Sequence, residues 1–192
     1  MKIENANRKD AAQLAYLINL AGEGIPEYLW QGMIEDTESP LEVGAKRAAR
    51  EEGGFSYRNA KVIRKGNKVA GMIISYPLDD PYETGDLSEY PDVVRPLIEL
   101  EAQAPGSWYI NALATSEQFR GLGIASRLLQ DAEQQAHAQG VSNMSIIVAS
   151  KNPSAKKLYL NQGYQLQTSR PVVEYPNCIH GGNWELLIKN LT

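Results

Sequence analysis

Apolar residues in the middle of the chain recur at the spacing of a helix, and a different pattern precedes them. Ile124, Leu128 and Ala132 are each four residues apart, which predicts one apolar helix face. Residues 108–114 form a mostly apolar run, and residues 115–117 are polar. The pattern therefore predicts a strand, a polar and glycine-rich turn, and the start of a helix.

The same periodicities, together with capping and turn residues, predict strands and helices over the rest of the chain. Residues 68–76 are apolar on both faces, as in a central strand that is covered on both sides. Lys65-Gly66-Asn67 predicts a hairpin turn before that strand. Strands are predicted over 2–6, 55–64, 68–76, 108–114, 144–148, 164–173 and 184–188, and helices over 11 to about 22, 26 to about 33, 41–51, 92–101, 124 to about 140 and 153 to about 163.

Residues 78–106 interrupt the pattern of predicted strands and helices. They are rich in proline and glutamate, and we interpret them as an insertion before the fourth strand. At 192 residues the chain is long enough to bury one full core, so residues 1–192 are predicted to form a single domain. Periodicity by itself predicts only that this domain mixes helices and strands, as in the α/β and α+β classes.

Charge and composition limit the kinds of partner and the cellular location that we expect. The formal net charge is −4 and no basic block occurs, which disfavours a nucleic-acid surface and suits a cationic substrate. No run of about eighteen apolar residues is present, so no membrane span is expected, and no metal site is predicted. The N-terminal residues lack the apolar core of a signal peptide, and Cys178 is the single cysteine. We therefore expect a reducing, cytoplasmic location.

Gly121 and Gly123 lie where the polar turn meets the helix. The first amides of a helix have no internal hydrogen-bond partner and carry part of a positive charge. Because glycine has no Cβ, a ligand can approach these amides closely, and Arg120 adds a cation. Such a turn suits a phosphate or pyrophosphate. No Lys-Ser or Lys-Thr follows, and Ser126 takes the place of a third glycine, which disfavours nucleoside triphosphates and dinucleotides.

Two motifs resemble those of the GNAT N-acetyltransferases, which use acetyl-CoA. Arg120, Gly123 and Ala125 are similar to the family's motif A, and the strand before them ends in Leu-Ala-Thr. Residues 152–164 resemble motif B, in which Asn-x-x-Ala-x-x-Leu-Tyr is followed by Gly-Tyr or Gly-Phe. Together the two motifs cover residues 108–164.

The resemblance implies the GNAT fold, a mixed, splayed sheet with helices on both faces, and acetyl-CoA as cosubstrate. In that family the end of the fourth strand binds pantetheine and polarises the acetyl carbonyl, and the glycine turn holds the pyrophosphate. The asparagine of motif B contacts the pantetheine arm. The cofactor-binding residues implied here are Leu113, Ala114, Thr115, Arg120, Gly121, Leu122, Gly123, Ile124, Ala125, Ser126 and Asn152.

The implied activity is transfer of an acetyl group from acetyl-CoA to a primary amine by direct attack, with Tyr159 protonating the leaving thiolate. The predicted fourth and fifth strands contain no carboxylate or histidine that could deprotonate the amine. His180 ranks first as proton acceptor, because an imidazole changes its charge near neutral pH. Glu99, Glu101, Glu174 and solvent are the alternatives. The missing base also leaves open a non-catalytic acyl-CoA-binding sensor or subunit.

The resemblance places the acceptor against the first two helices and the loop between the last two strands. This nominates Glu27, Tyr28, Trp30 and Tyr175, since carboxylates beside aromatic rings suit a cation. Trp30 equally suits a packing role. The expected partner is a small-molecule amine or a protein amino group. The identity of the acceptor, the acyl chain and the oligomeric state, with a homodimer as one option, stay open.

Overall fold

The computed structural model describes residues 1–191 and contains both strands and helices. The strands are β1 (Ile3–Asn5), β2 (Ala60–Lys65), β3 (Lys68–Pro77), β4 (Trp108–Thr115), β5 (Asn143–Ala149), β6 (Gln165–Pro171) and β7 (Asn183–Asn190). The α-helices are α1 (Ala11–Ala21), α2 (Ile25–Gln31), α3 (Pro40–Ala48), α4 (Arg95–Glu101), α5 (Ile124–Ala138) and α6 (Pro153–Asn161).

Seven strands form one mixed sheet in the order β1-β2-β3-β4-β5-β7-β6. β4 pairs with β5 in parallel, from Trp108 opposite Met144 to Ile110 opposite Ile146. The pairs β1–β2, β2–β3, β5–β7 and β6–β7 are antiparallel. The predicted combination of a mixed sheet with flanking helices is confirmed.

The chain divides into two compact units, of which the first comprises Met1–Ser75 and Asn111–Ala132. Within it, α1 and α2 both pack against α3. The side chains of Leu14, Leu17, Ile18, Ile63, Met72, Ile73, Ile74, Ile124 and Leu128 are almost fully buried there. Apolar burial on this scale is the main stabilising term of such a core.

The second unit comprises Tyr76–Ile110 and the chain from Glu133 onward. Within it, α4 packs against β6 and β7, and α6 packs against β5. Its core includes Leu100, Ile110 and Met144. That residues 1–192 act as a single domain stays a prediction.

The predicted hairpin turn is confirmed, and side-chain hydrogen bonds cap the starts of the first and third helical segments. The Asn7 side chain accepts from the Lys9 N–H at 3.0 Å, at the start of the 3₁₀ turn that leads into α1. Ser39 and Glu42 form a reciprocal capping box at the start of α3. Gly66 has a φ of 60° in the hairpin between β2 and β3.

Three predicted boundaries differ from the observed ones by three residues or more. The second strand begins at Ala60 instead of residue 55, because the Ser56 hydroxyl accepts from the Arg58 N–H at 3.2 Å and caps a 3₁₀ turn. The third helix ends at Ala48 instead of residue 51, and the Arg50 carbonyl accepts from Ser56 at 2.6 Å. In the 78–106 segment, the predicted helix starts at Arg95 instead of residue 92.

Candidate active site

The turn before α5 is the best-defined part of the predicted cofactor site. Gly121 and Gly123 have backbone φ angles of 76° and 74°, a left-handed conformation that favours glycine. No atom lies within 4 Å of the position that a Cβ would take at either residue. The Arg127 N–H donates to the Gly123 carbonyl at 3.1 Å, and the helix begins at Ile124. The turn therefore presents bare backbone beside a helix start, as phosphate binding requires.

The side chains around this turn divide into exposed and buried ones. Arg120 pairs with an exposed glutamate at 3.8 Å, and 58% of its own side chain is exposed, so the pair holds the guanidinium weakly. Leu122 is 50% exposed, whereas Ile124 is 1% exposed and belongs to the core. Ala125 and Ser126 are partly buried in the first turn of α5. Arg120 thus adds a cation that a ligand can reach.

The last residues of β4 lie in a tightly packed part of the first unit. Ala114 is buried, and Leu113 and Thr115 are partly buried. A Cβ on Gly71 would lie 2.5 Å from the Ile124 side chain and 3.1 Å from the Ala114 carbonyl, so this approach requires glycine. The Thr115 hydroxyl is buried and has no hydrogen-bond partner among residues 1–191. A buried hydroxyl without a partner is costly, and a polar ligand group would satisfy it.

The three predicted acceptor-binding residues of α2 differ in their surroundings. Glu27 is exposed, and Asn19 donates to its carboxylate at 2.8 Å and accepts from its backbone N–H at 2.9 Å. Tyr28 is 41% exposed. Trp30 is 3% exposed, and a Cβ on Gly44 would lie 2.4 Å from its ring. Glu27 and Tyr28 are accessible, while Trp30 packs between α2 and α3, the alternative that the sequence left open.

In the second unit, Tyr159 lies on α6 and is 5% exposed. Its ring packs edge-on against Tyr164, with 5.9 Å between the ring centroids and 64° between the planes. Burial raises the pKa of the Tyr164 hydroxyl, which lies 3.7 Å from the Met144 sulfur. Asn152 accepts from the Ala155 N–H at 3.1 Å and caps the helix. The helix that carries Tyr159 is therefore anchored at its start by the predicted motif-B asparagine.

The loop between β6 and β7 forms a groove of about 610 Å³ within the second unit. His180 lines this groove together with Tyr175, which is 6% exposed. Lys151, which no sequence pattern marked, also lines the groove. A Cβ on Gly182 would lie 3.1 Å from the Lys151 side chain. The groove is completed by Val172, Glu174, Asn177, Cys178, Ile179, Gly181 and Gly182. The structure thus brings one predicted acceptor-site residue, Tyr175, and two candidate bases, His180 and Glu174, to one groove.

The two remaining candidate bases lie on α4 in different surroundings. Glu99 accepts from the Arg170 Nε at 3.0 Å, and its charge is compensated by that ion pair. Glu101 accepts from the Tyr82 hydroxyl at 2.6 Å and is also hydrogen-bonded by Tyr109. Burial raises the pKa of Glu101, and the two hydrogen bonds oppose that rise only in part. Glu101 therefore binds a proton more readily than an ordinary glutamate does.

Three further features of the described residues concern an ion pair on α6, metal binding and membrane spans. Lys156, on α6, forms an ion pair with Glu185 at 2.8 Å, and Glu185 is 9% exposed. The sequence did not indicate this pair, because the two residues are far apart in the chain. Among residues 1–191, no cluster of three or more His, Cys, Asp and Glu side chains could hold a metal ion. Over the same residues, we find no helix whose length and apolarity would let it cross a membrane.

The glycine turn and the capped helix of Tyr159 both fall inside a stretch that matches a known family. The model of the Acetyltransferase (GNAT) family matches residues 26–164. The chain belongs to the GNAT acetyltransferase family. Comparison with curated proteins finds no match.

Solved structures of GNAT N-acetyltransferases share the fold over nearly the whole chain. The N-acetyltransferase from Staphylococcus aureus Mu50 is 21% identical, with a TM-score of 0.64 over 98% of this chain and 100% of its own. The polyamine N-acetyltransferase from Drosophila melanogaster is 13% identical, with a TM-score of 0.70 over 99% of both chains. The ribosomal-protein-alanine N-acetyltransferase from Brucella melitensis is 18% identical, with a TM-score of 0.63 over 100% of both chains. At these identities the likeness concerns the fold.

Proposed function

We propose that this GNAT protein transfers an acetyl group from acetyl-CoA to the primary amine of a small molecule or a protein. The observation that carries the proposal is the turn before α5, where Gly121 and Gly123 leave open space beside the start of a helix. That turn, with Arg120, would hold the pyrophosphate, and the unpartnered hydroxyl of Thr115 is available to the rest of the cofactor. The residues present fit the cosubstrate.

The reaction moves one proton from the amine to the sulfur. The amine nitrogen attacks the thioester carbonyl, a C–N bond forms, and the C–S bond breaks. In the proposal Tyr159 gives its phenolic proton to the leaving thiolate, and His180 takes the proton that the amine loses. A phenol is a weaker acid than a thiol, so this donation costs about 2 kcal/mol unless a hydrogen bond stabilises the thiolate.

The experiment that tests the proposal measures thiol release from acetyl-CoA with a panel of acceptors. The structural relatives include a polyamine acetyltransferase and a ribosomal-protein-alanine acetyltransferase, so the panel contains aliphatic amines and peptide amino termini. Release of thiol with any of them supports an enzyme. Binding of acetyl-CoA without turnover of any acceptor favours the alternative, a non-catalytic acyl-CoA sensor or subunit, which the lack of a base on β4 and β5 also allows.

The phosphate assignment is tested by calorimetry with acetyl-CoA. Gly123→Val should abolish binding, because the branched side chain would occupy the space in front of the turn. Gly140→Val is the matched control: Gly140 has a φ of 70° and equally open space after α5, so the backbone strain is the same. Equal binding by the two variants would show that the turn does not hold the pyrophosphate.

The role of Tyr159 is tested by removing its hydroxyl. Tyr159→Phe should lower kcat by about 10- to 1000-fold with little change in acetyl-CoA affinity. Tyr164→Phe, which removes the hydroxyl of the adjacent buried ring, should leave kcat within about twofold. His180→Ala should lower kcat/KM by about 100-fold if the imidazole accepts the proton. Full kcat in Tyr159→Phe would leave Tyr159 as a packing residue.

A further inference from the structure

The helix that carries Tyr159 is attached to the sheet by few side chains. Of the nine residues of α6, all within the described chain, Tyr159 alone is buried. The helix packs against β5, and the Asn152 cap holds its first turn. Because a helix is held in place mainly by the side chains that it buries, one buried residue leaves the position of α6 to its remaining contacts.

Lys156 supplies a second attachment, one turn before Tyr159. Residues three apart on a helix lie on the same face, so Lys156 and Tyr159 both face the sheet. The Lys156 Nζ lies 2.8 Å from the Glu185 Oε2 and donates to Oε1 at 3.1 Å. Glu185 is part of β7, which pairs with β5 on one side and with β6 on the other. The ion pair therefore ties α6 to a strand inside the sheet.

The surroundings of Glu185 make this attachment specific. Its side chain is 11% exposed, and that of Lys156 is 29% exposed. Among residues 1–191, Lys156 is the only cation that pairs with it, and its Oε2 receives no hydrogen bond. A buried ion pair often stabilises a fold no more than an apolar pair of equal volume does. The feature that distinguishes the pair is therefore its fixed geometry.

We propose that the Lys156–Glu185 pair positions the hydroxyl of Tyr159. All three residues lie in the second unit. A proton donor must lie within hydrogen-bond reach of the atom that it protonates, and a displacement of about 1 Å costs about 100-fold in rate. Lys156 and Glu185 are positioning residues that act through Tyr159. Their effect on the reaction rests on the proposed function, whereas the attachment of α6 by the pair does not.

The test compares two lysines that pair with glutamates on the same face of β7. Lys156→Met should lower kcat by about tenfold or more, with acetyl-CoA affinity within about twofold. Lys156→Arg keeps the charge and should stay within about threefold of the wild type. Lys189→Met is the matched control, because Lys189 pairs with Glu133 of α5 at 2.6 Å and is 18% exposed. Its kcat should stay within about twofold. Equal losses in the two Met variants would overturn the proposal.

A double variant separates positioning from charge compensation. Lys156→Met combined with Glu185→Gln leaves no buried charge without a partner, so its melting temperature should return toward that of the wild type. Its kcat should stay about tenfold low, because the tie between α6 and β7 is still missing. Recovery of kcat in this variant would overturn the proposal. The double variant also keeps the test decisive if Lys156→Met alone does not fold.

The role of Tyr159 as the intermediary is tested in the Tyr159→Phe background. Lys156→Met should lower kcat there by less than about twofold, because no hydroxyl remains to be positioned. Losses that multiply would overturn the proposal. Full kcat in Tyr159→Phe would overturn it as well.

Hydrogen exchange separates this inference from the proposed function, because it needs no turnover. Amides of α6 should exchange about tenfold faster in Lys156→Met than in Lys189→Met. Equal exchange would overturn the attachment even in an active enzyme. Faster exchange, without thiol release from acetyl-CoA by the wild type with any amine, would contradict the proposed function and leave the attachment of α6 standing.

Discussion

Asp10 is a buried carboxylate in the first unit and Glu101 a partly buried one in the second, and they differ in what faces them. Asp10 is 4% exposed and accepts from both terminal nitrogens of Arg64 at 2.7 Å each, and from the Asn7 N–H at 2.8 Å. Glu101 accepts from two tyrosine hydroxyls, of which that of Tyr82 lies at 2.6 Å. One carboxylate faces a guanidinium in bidentate geometry, and the other faces neutral donors.

Their pKa values move in opposite directions for this reason. Burial pushes the pKa of Asp10 up, but the hydrogen bonds from Arg64 and Asn7 and the charge of Arg64 outweigh it, and the pKa is lowered. Burial raises the pKa of Glu101, and the hydroxyls of Tyr82 and Tyr109 do not cancel the rise. Neutral donors therefore do not replace a cation. Asp10 is part of a completed ion pair, whereas the hydrogen-bond donors to Glu101 are neutral hydroxyls.

Breaking the completed pair should have the largest effect. Arg64→Met would leave the Asp10 carboxylate buried without its cation, and we expect the free energy of unfolding to fall by about 3–5 kcal/mol. Urea unfolding followed by tryptophan fluorescence measures this. Arg58→Met is the control, because the Arg58–Glu51 pair is exposed, is screened by solvent and should contribute little to stability. An equal fall in the free energy of unfolding in the two variants would contradict the stabilising role of the Arg64–Asp10 pair.

Neutralising each carboxylate in turn should change the free energy of unfolding differently. Asp10→Asn should lower the free energy of unfolding by about 3 kcal/mol, because Arg64 loses its buried partner. Glu101→Gln should leave it unchanged or raise it by up to about 1 kcal/mol, because the amide oxygen still accepts from Tyr82 and no charge remains to be buried. The same urea titration near pH 8 measures both. A comparable loss in Glu101→Gln would show that its negative charge is already compensated.

The pH dependence of stability should show the smallest effect and the same contrast. The contribution of Asp10 is present above its ordinary pKa of 3.8 and is lost as the pH falls through the lowered value. For Glu101, the folded state keeps its proton longer, so its contribution declines as the pH rises from 4.5 through the raised pKa. The difference in the free energy of unfolding between the wild type and Asp10→Asn should therefore become smaller below about pH 4. The free energy of unfolding of Glu101→Gln should rise relative to that of the wild type above about pH 4.5. Parallel curves for the two variants would contradict this.

The elements that could be predicted are those whose determinants lie close together in the chain. The alternation through β3, the hairpin at Gly66 and the Asn152 cap of α6 each depend on fewer than about ten consecutive residues, which a periodicity or a capping rule describes. The glycine turn before α5 belongs to this group, since Gly121 and Gly123 adopt the conformation that favours glycine. The start of β2 was not predicted, because residues 55–59 have strand-like composition, and the Ser56 cap of the 3₁₀ turn and its contact with Arg50 are seen only in the structure.

What the sequence by itself determined about this protein is the order of its elements, the mixed class of its fold and the motifs that place it in the GNAT family. What only the tertiary structure decided is which charges meet. Arg64 reaches Asp10 across 54 residues of chain, and Tyr82 reaches Glu101 across 19. The residue types of these partners are ordinary for surface positions, and no local pattern marks them. Burial and partner together decide the pKa of a carboxylate, and both are properties of packing over long distances in the chain.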